Sequence, residues 1–266
     1  MIVAKKSDTD KTGPVYEFNK PPTEAPKKED IGETTWEERL RLANAPYSPM
    51  SEKFRRLRSH LLYSGETSRV LMVTSIMPGE GKGFVCANLG IALARDMEHH
   101  VLLLDCDLRR PTLAQLFGVP NESGMAEYLQ NSAAPSPTIH KTGQPKLFLI
   151  PSGNTPGNPS ELISSTRMKS FINKLIEYNS DRIILLDSPP SSFSAETMVL
   201  AQYVDGVVLI IRPGVAPREE VKKFVDTIGR EKIRGIVYNA KPEDKVKSLW
   251  YRAKGYGYGY DGYGYY

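Results

Sequence analysis

Short apolar runs alternate with helical patterns along most of the chain. The runs occupy residues 70–73, 101–104, 147–150, 183–186, 207–211 and 236–238. Continuous apolar runs of this kind are typical of strands that are buried on both faces. Apolar residues recur at helical spacing over 82–95, 112–117 and 167–178, and the proline-containing stretches 135–145 and 151–159 read as loops. The alternation predicts an α/β fold with a mostly parallel sheet and helices on both of its faces.

The segment before the first strand predicts two helices of unequal strength. A short helix covers Thr35 to Leu42, and the pairs Ala45-Pro46 and Ser48-Pro49 interrupt it. A stronger amphipathic pattern begins at Ser51. Its apolar face comprises Phe54, Leu57, Leu61 and Leu62. Arginines occupy the opposite face, which is either solvated or an interface with another subunit.

Both ends of the chain have the composition of segments that do not fold alone. Residues 1–35 are rich in Lys, Glu, Asp, Thr and Pro, which predicts a disordered N-terminal tail. Residues 246–266 predict a flexible tail, because alternating glycines are costly to order. The tail's candidate phosphorylation sites are Tyr256, Tyr258, Tyr260, Tyr263, Tyr265 and Tyr266. One folded domain is therefore expected over residues 36–245.

Composition narrows the class of protein. The net charge is +4, with 35 basic against 31 acidic residues, which is too balanced to indicate a nucleic-acid partner. The two cysteines, Cys86 and Cys106, lie in or beside apolar runs and read as buried, reduced thiols. No apolar run approaches the roughly 20 residues that cross a bilayer. The expectation is a cytoplasmic protein.

A glycine-rich turn after the first strand has the context of a phosphate-binding loop. Gly79-Glu80-Gly81-Lys82 follows the strand and opens a helix, so backbone N–H groups and the helix N-terminus can surround phosphate oxygens. The predicted nucleotide-binding residues are Pro78, Gly79, Glu80, Gly81, Lys82 and Gly83. The alternative is an ordinary strand–turn–helix connection. Two positions depart from the general pattern: Ile76 stands where a glycine is usual, and Gly83 replaces the Ser or Thr that binds Mg²⁺.

Carboxylates follow two of the predicted strands. Asp105 and Asp107 end the second run, and Asp187 ends the run over 183–186. Ligands of open α/β sheets bind beyond the carboxyl ends of the strands, so these three side chains should lie beside the glycine-rich turn. Carboxylates there can bind Mg²⁺ or accept the proton of an attacking hydroxyl. The alternative is that Asp105 and Asp187 only cap helices or turns.

Together these residues resemble the bacterial tyrosine kinases of capsular and exopolysaccharide synthesis, over about residues 48–241 and the tail. The motifs that carry the resemblance are Ser75 to Lys82, Leu102 to Pro111, Leu185 to Pro190, Asn158 to Leu162, and Glu52-x-x-Arg55-x-x-Arg58. The resemblance implies a P-loop NTPase-like fold and an ATP- and Mg²⁺-dependent protein-tyrosine autokinase. It also implies a role in regulating the synthesis and export of extracellular polysaccharide.

The resemblance further implies the roles of individual residues. Lys82 would hold phosphates, Asp107 and Asp187 would organise Mg²⁺, and Asp105 would act as base or metal ligand. The roles of Asp105 and Asp107 stay open at this point. Asn239 ends the last strand, where related P-loop folds contact adenine.

Partners are implied in the same way. Glu52, Arg55 and Arg58 would mediate contacts in a ring of identical subunits, in which the tail of one subunit enters the site of its neighbour. Family members without a membrane span depend on the cytoplasmic segment of a membrane polysaccharide co-polymerase. The same activator is expected here, and it would recruit the chain to the inner face of the plasma membrane.

Two departures from the family leave alternatives open. Gly83 keeps the phosphate cradle but supplies no hydroxyl, so an ATP-binding pseudokinase with weakened catalysis is the second hypothesis. Glu196 stands where the family often has an aspartate, and we expect it to be solvated rather than a substitute. A partitioning or cell-division ATPase is a third hypothesis, but such proteins usually carry a second lysine early in the loop, and Ser75 to Glu80 contains none.

Overall fold

The computed structural model describes residue 40 and residues 48–63, 68–130, 136–177 and 181–239. The strands are β1 (Val70–Ser75), β2 (His100–Asp105), β3 (His140–Lys141), β4 (Leu147–Ile150), β5 (Arg182–Asp187), β6 (Gly206–Ile211) and β7 (Ile233–Tyr238). The helices are α1 (Pro49–Tyr63), α2 (Lys82–Ala94), α3 (Leu113–Phe117), α4 (Met125–Gln130), α5 (Pro159–Ile163), α6 (Thr166–Glu177), α7 (Ala195–Leu200) and α8 (Arg218–Ile228). Short 3₁₀ turns cover Ser191–Phe193 and Arg230–Lys232.

The described strands form one sheet in the order β3-β4-β2-β5-β1-β6-β7. All neighbours are parallel except β3, which pairs antiparallel with β4. Strand β5 lies between β2 and β1, so the carboxyl ends of these three strands meet at the centre of one edge. The phosphate-binding turn and both acidic strand ends are thereby brought to the same place.

Helices cover both faces of the sheet. In β1, Val70 and Met72 pack into a core with apolar residues of α4 to α8, whereas Leu71 and Val73 pack with those of α1 to α3. Every residue of β1 is buried. Full burial on both faces explains why the central strands read as continuous apolar runs rather than as alternating ones.

The predicted α/β fold is confirmed, and the six predicted strands all form. The prediction of an unbroken loop over 135–145 is wrong, because His140–Lys141 forms β3. Two residues are too few to produce a periodic pattern, and this edge pair depends on β4 being in place.

Helix α1 begins at Pro49, two residues before the predicted start at Ser51. Ser48 Oγ accepts a hydrogen bond from the Ser51 N–H at 3.0 Å, and Ser51 Oγ donates to the Ser48 carbonyl at 2.9 Å. Proline is well suited to the first helical position, where its missing N–H costs nothing. Pro49, which the sequence pattern predicts to interrupt a helix, therefore starts one.

Several predictions fall on residues outside the described ranges. These are both tails, with the six tail tyrosines, and nearly all of the predicted helix over Thr35 to Leu42. Leu40 alone is described there; it is helical and fully buried. Among the described residues, no helix combines the length and apolar character needed to cross a membrane.

Candidate functional site

The loop between β1 and α2 is shaped by two glycines. Gly79 and Gly81 have φ values of 78° and 90°, a left-handed conformation that side chains disfavour. Gly81 is the N-cap of α2 and has no side chain with which to cap it. The free N–H groups of the first helical turn, with the positive end of the helix dipole, therefore remain available to an anion.

Glu80 braces this loop from behind. Its side chain is fully buried and accepts hydrogen bonds from the N–H groups of Ile76 (2.9 Å), Met77 (2.8 Å) and Arg212 (2.8 Å). The predicted nucleotide-binding role of Glu80 therefore cannot rest on its carboxylate, which points into the protein. The carboxylate instead ties the start of the loop to the end of β6.

Ile76, the first departure from the loop pattern, is also turned inward. Its side chain is buried in the core on the face covered by α4 to α8. Its carbonyl accepts from Ser192 through the backbone N–H at 3.1 Å and through the hydroxyl at 2.5 Å. A glycine is therefore not required here, because the turn begins later and residue 76 packs like a core residue.

The three predicted carboxylates and Lys82 come together at the edge of the sheet. Asp105 and Asp187 are partners in the register of β2 and β5, and both are fully buried. The Lys82 ammonium lies 2.5 Å from Asp107 Oδ2, and Asp107 Oδ1 accepts from the Arg110 N–H at 3.1 Å. The structure thus brings together all four residues that the sequence predicts as catalytic.

Burial and mutual repulsion shift the pKa values of this cluster. Burial raises the pKa of Asp105 to about 8, and the charge of Asp187 adds to the rise. Burial also raises the pKa of Asp187 to about 6, although Lys82 acts in the opposite direction. Burial alone would lower the pKa of Lys82, but the charges of Asp187 and Asp107 outweigh it and raise that pKa. A cation beside these carboxyls would favour their ionised forms.

Several oxygen atoms of the cluster are left without hydrogen bonds. Asp105 Oδ2 accepts from the N–H groups of Thr112 (3.1 Å) and Leu113 (3.0 Å). Within the described part of the chain, no hydrogen-bond partner is present for Asp105 Oδ1, Thr112 Oγ1 or either oxygen of Asp187. The Thr112 hydroxyl is close enough to Asp187 to lower the pKa of that carboxyl, although the two groups are not in standard hydrogen-bond geometry. Buried oxygens without partners, beside a phosphate loop, fit the ligand preference of Mg²⁺.

Glu196 anchors the loop that follows β2, and the expectation that it is solvated is wrong. Its side chain is buried, and Oε1 accepts from Arg109 Nε (3.0 Å), Arg109 Nη2 (2.9 Å) and the Ser160 hydroxyl (2.8 Å). The Ser194 hydroxyl donates to Oε2. Burial raises the pKa of Glu196, but the hydrogen bonds from Ser194, Ser160 and Arg109 outweigh it and lower that pKa. The sequence could not show that Arg109 would cross from another loop to meet this carboxylate.

These elements surround an open cavity of about 540 Å³. Its walls come from the phosphate loop, the loop after β2, helix α3 and the turn after β5. The lining residues are Pro78, Gly79, Gly81, Lys82, Gly83, Phe84, Asp107, Arg109, Arg110, Thr112, Gln115, Leu116, Pro189, Pro190 and Ser194. The predicted nucleotide-binding residues of the loop, apart from Glu80, therefore line one cavity.

Of the three predicted carboxylates, Asp107 lines the cavity, whereas the fully buried Asp105 and Asp187 do not. The other predicted residues also lie outside the lining. Asn239 Nδ2 donates to the Glu80 carbonyl at 2.7 Å, so it supports the loop from the end of β7. Glu52 pairs with Arg55 at 3.2 Å on the surface of α1, and Arg58 donates to the Ala92 carbonyl at 3.2 Å. The Glu52–Arg55 pair lies within α1, and only the hydrogen bond from Arg58 ties the helix to α2 of the same subunit. The role of these residues in a ring remains a prediction.

Thr112 is the cavity residue that the sequence interpretation missed most clearly. Its hydroxyl has no motif of its own, because it lies after the acidic segment and not in the phosphate loop. The available signal was indirect: Gly83 removes a hydroxyl, and Thr112 is the next hydroxyl residue after Asp105 and Asp107.

Comparison with known proteins identifies the family of the chain. A family model of the ParA group, described as NUBPL iron-transfer P-loop NTPase, matches residues 66–243. The putative tyrosine-protein kinase CapB of Staphylococcus aureus is 32% identical over 216 residues, which cover 80% of this chain and 93% of CapB. The tyrosine-protein kinase YwqD of Bacillus subtilis is 30% identical over 210 residues, which cover 77% of this chain and 87% of YwqD.

A solved structure extends the likeness to the fold. The kinase domain of the Escherichia coli tyrosine kinase ETK superposes with a TM-score of 0.70 at 26% identity, over 90% of this chain and 89% of that domain. The family model identifies the P-loop fold, and the relatives identify the branch within it. The chain therefore belongs to the bacterial tyrosine kinase family, within the ParA group of P-loop NTPases.

Proposed function

We propose that this chain is an ATP-dependent protein-tyrosine autokinase that regulates the synthesis and export of extracellular or capsular polysaccharide. The observation that carries the proposal is the meeting of Lys82 with Asp105, Asp107 and Asp187 at the N-terminus of α2. Relatives named tyrosine-protein kinases support the choice of acceptor.

The position of each residue in the site indicates its role in phosphoryl transfer. The amides of the loop and the Lys82 ammonium would bind the β and γ phosphates of ATP, and Lys82, which now pairs with Asp107, would donate to a phosphate oxygen instead. Asp187, Asp105 and Asp107 would hold a divalent cation through their carboxylate oxygens. Both oxygens of Asp187 and Asp105 Oδ1 have no hydrogen-bond partner among the described residues. Bound Mg²⁺ supplies neutralisation of the charge on the transferred phosphoryl group.

Asp105 and Asp107 are both candidates for accepting the proton of the tyrosine hydroxyl. Asp107 lines the cavity, whereas Asp105 is fully buried. Burial raises the pKa of Asp105 to about 8, so this carboxyl accepts a proton at neutral pH only when a nearby cation keeps it ionised. Variants Asp105→Asn and Asp107→Asn separate the two roles. Loss of a metal ligand should weaken ADP binding in Mg²⁺, whereas loss of the base should reduce transfer and leave ADP binding in Mg²⁺ unchanged. Arg109 and Arg110 line the same cavity, but Arg109 already pairs with Glu196, so Arg110 is the better placed of the two to offset phosphate charge.

The acceptor tyrosines are those of the glycine-rich tail, delivered to the site of a neighbouring subunit in a ring. Each added phosphate carries about −1.5 to −2 charge, so several together repel one another and loosen the ring. Glu52, Arg55 and Arg58 are the proposed ring contacts. The proposed activator is the cytoplasmic segment of a membrane polysaccharide co-polymerase, which recruits the chain to the inner face of the plasma membrane. Sedimentation of phosphorylated and unphosphorylated protein tests the ring, because the phosphorylated form should be the smaller species.

The kinase activity is tested by incubating the purified chain with ATP and Mg²⁺, alone and with the activator's cytoplasmic segment. Phosphotyrosine should appear and map by mass spectrometry to Tyr256 and the tyrosines after it. A chain with all six tail tyrosines changed to Phe should bind ADP normally and carry little phosphotyrosine. Absence of phosphotyrosine from the unaltered chain under both conditions would contradict the proposal. The alternative of a weakened pseudokinase gains no specific support from the site or from the relatives.

A further inference from the structure

The space beside the Cα atom of Gly83 is occupied by another side chain. A Cβ atom built on Gly83 would lie 2.1 Å from Thr112 Oγ1 and 3.3 Å from Asp187 Oδ2. A separation of 2.1 Å is far below any non-bonded contact and little more than a covalent bond of about 1.5 Å. The Thr112 hydroxyl therefore fills the volume into which a serine or threonine side chain at position 83 would project.

The backbone that carries the Thr112 hydroxyl is anchored by Asp105. The N–H groups of Thr112 and Leu113 both donate to Asp105 Oδ2, which fixes the backbone at the start of α3. Thr112 lines the cavity together with Lys82 and Gly83. Its oxygen is buried and, within the described part of the chain, has no hydrogen-bond partner.

The surroundings of the hydroxyl point to a cation. Both oxygens of Asp187 and Asp105 Oδ1 are likewise buried and, among the described residues, have no hydrogen-bond partner. Leaving buried polar atoms unpaired costs free energy, so such a group of them needs a ligand to explain it. Oxygen atoms from one hydroxyl and two carboxyls, next to a phosphate loop, match the donor set of Mg²⁺.

We propose that Thr112 supplies the hydroxyl ligand of nucleotide-bound Mg²⁺ that position 83 supplies in other P-loop proteins. The ligand has moved from the start of α2 to the loop before α3, while its place in the cavity is kept. Gly83 and Thr112 thus form a compensating pair, because the space holds one hydroxyl-bearing side chain. This inference rests on the proposed Mg²⁺-nucleotide site.

The test measures metal-dependent nucleotide binding and does not depend on kinase activity. The dissociation constant of a fluorescent ADP analogue is measured for the full chain in Mg²⁺ and in EDTA. Thr112→Val removes the hydroxyl at nearly constant volume and should reduce the tightening by Mg²⁺ about tenfold, the scale on which lost metal-site contacts act. Binding in EDTA should not change. Thr112→Ser keeps the hydroxyl and should retain the tightening of ADP binding by Mg²⁺. Electron paramagnetic resonance of Mn²⁺ should likewise show weaker metal binding by Thr112→Val than by Thr112→Ser.

A second set of variants moves the hydroxyl back. Gly83→Ser alone forces two side chains into one space and should lower the Tm. Adding Thr112→Ala should raise the Tm again and recover most of the Mg²⁺ effect that Thr112→Ala alone loses. A double variant as insensitive to Mg²⁺ as Thr112→Ala would overturn the exchange between the two positions.

The outcomes separate this inference from the proposed function. If Thr112→Val keeps the full Mg²⁺ effect while nucleotide binding is intact, the assignment of Thr112 is overturned and the kinase proposal stands. If the unaltered chain binds no nucleotide in Mg²⁺ or in EDTA, both are overturned. A Thr112→Val chain whose EDTA binding weakens as much as its Mg²⁺ binding would also overturn the assignment, because the residue would then be structural.

Discussion

Two loops at the same edge of the sheet contribute different kinds of chemical group to the cavity. The phosphate loop, residues 76–82, departs from the usual P-loop pattern at Ile76, and Gly83 directly after it is a second departure. The side chains of Ile76 and Glu80 are directed into the protein. The acidic segment, residues 105–112, follows the second motif of the tyrosine kinase family. It contributes Asp107, Arg109 and Thr112 to the lining of the cavity. The first loop offers mainly backbone and one ammonium, whereas the second offers side chains.

The contrast shows which kind of residue can be replaced. Backbone groups bind phosphate whatever the side chain is, so Ile76 could become a core residue once Gly79 and Gly81 made the turn. A side-chain ligand can be replaced only by another side chain that reaches the same point. Thr112 reaches the point left by Gly83 because β1, β5 and β2 are adjacent.

Loss of Lys82, the charged side chain with which the phosphate loop lines the cavity, should have the largest effect. Lys82→Ala should reduce autophosphorylation about a thousandfold, or about 4 kcal/mol of transition-state stabilisation, because phosphate charge loses its ammonium. Phosphotyrosine formation over time measures this. Lys169→Ala, on the exposed side of α6, is the matched control and should behave as the unaltered chain. Equal rates for both variants would contradict the role of Lys82.

Loss of Glu80, which braces the phosphate loop, should mainly lower the free energy of unfolding. Glu80→Ala leaves the N–H groups of Ile76, Met77 and Arg212 without their buried acceptor, and we expect unfolding free energy to fall by about 3 kcal/mol. Urea unfolding measures this value. Glu98→Ala removes an exposed glutamate and should change it by less than about 0.5 kcal/mol.

Restoring the usual glycine at the start of the loop should harm the protein. Ile76→Gly removes a buried side chain from the core and should lower the free energy of unfolding by about 2–3 kcal/mol, while ADP binding by the folded protein stays near its original value. Ile76→Val should cost about 1 kcal/mol in the same urea titration. A large gain in ADP affinity on Ile76→Gly would show that the side chain hinders the loop.

The smallest effect should come from the anchor of the second loop, and it should depend on pH. The pKa of Glu196 is lowered in the folded chain, so its stabilising contribution is complete above the unfolded pKa and is lost as pH falls through the folded value. Glu196→Gln should therefore cost about 1–2 kcal/mol at pH 7 and progressively less below about pH 4.5. Thermal unfolding at several pH values measures the difference.

Glu161→Gln provides the control for this profile, since Glu161 is exposed on α5. It should leave the acid limb of the stability curve unchanged. A Glu196→Gln chain whose deficit stays constant down to pH 3 would show that hydrogen bonding by the side chain, and not its charge, provides the stabilisation.

Local patterns were sufficient for most of the fold. The central strands could be predicted because burial on both faces makes them continuously apolar, and the phosphate loop because Gly79, Gly81 and Lys82 are adjacent in sequence. Strand β3 could not be predicted, because two residues carry no period and pair only when β4 is present. Glu196 could not be placed either, because its partners Arg109 and Ser160 come from distant parts of the chain.

The sequence by itself determined the order of strands and helices, the phosphate loop and the acidic strand ends, because each depends on neighbours along the chain. Only the tertiary structure decided that Ile76 and Glu80 turn inward, that Arg109 reaches Glu196, and that the Thr112 hydroxyl fills the space beside Gly83. These outcomes depend on the distances between loops that follow different strands. The pairing of β1 with β5, and of β5 with β2, sets those distances.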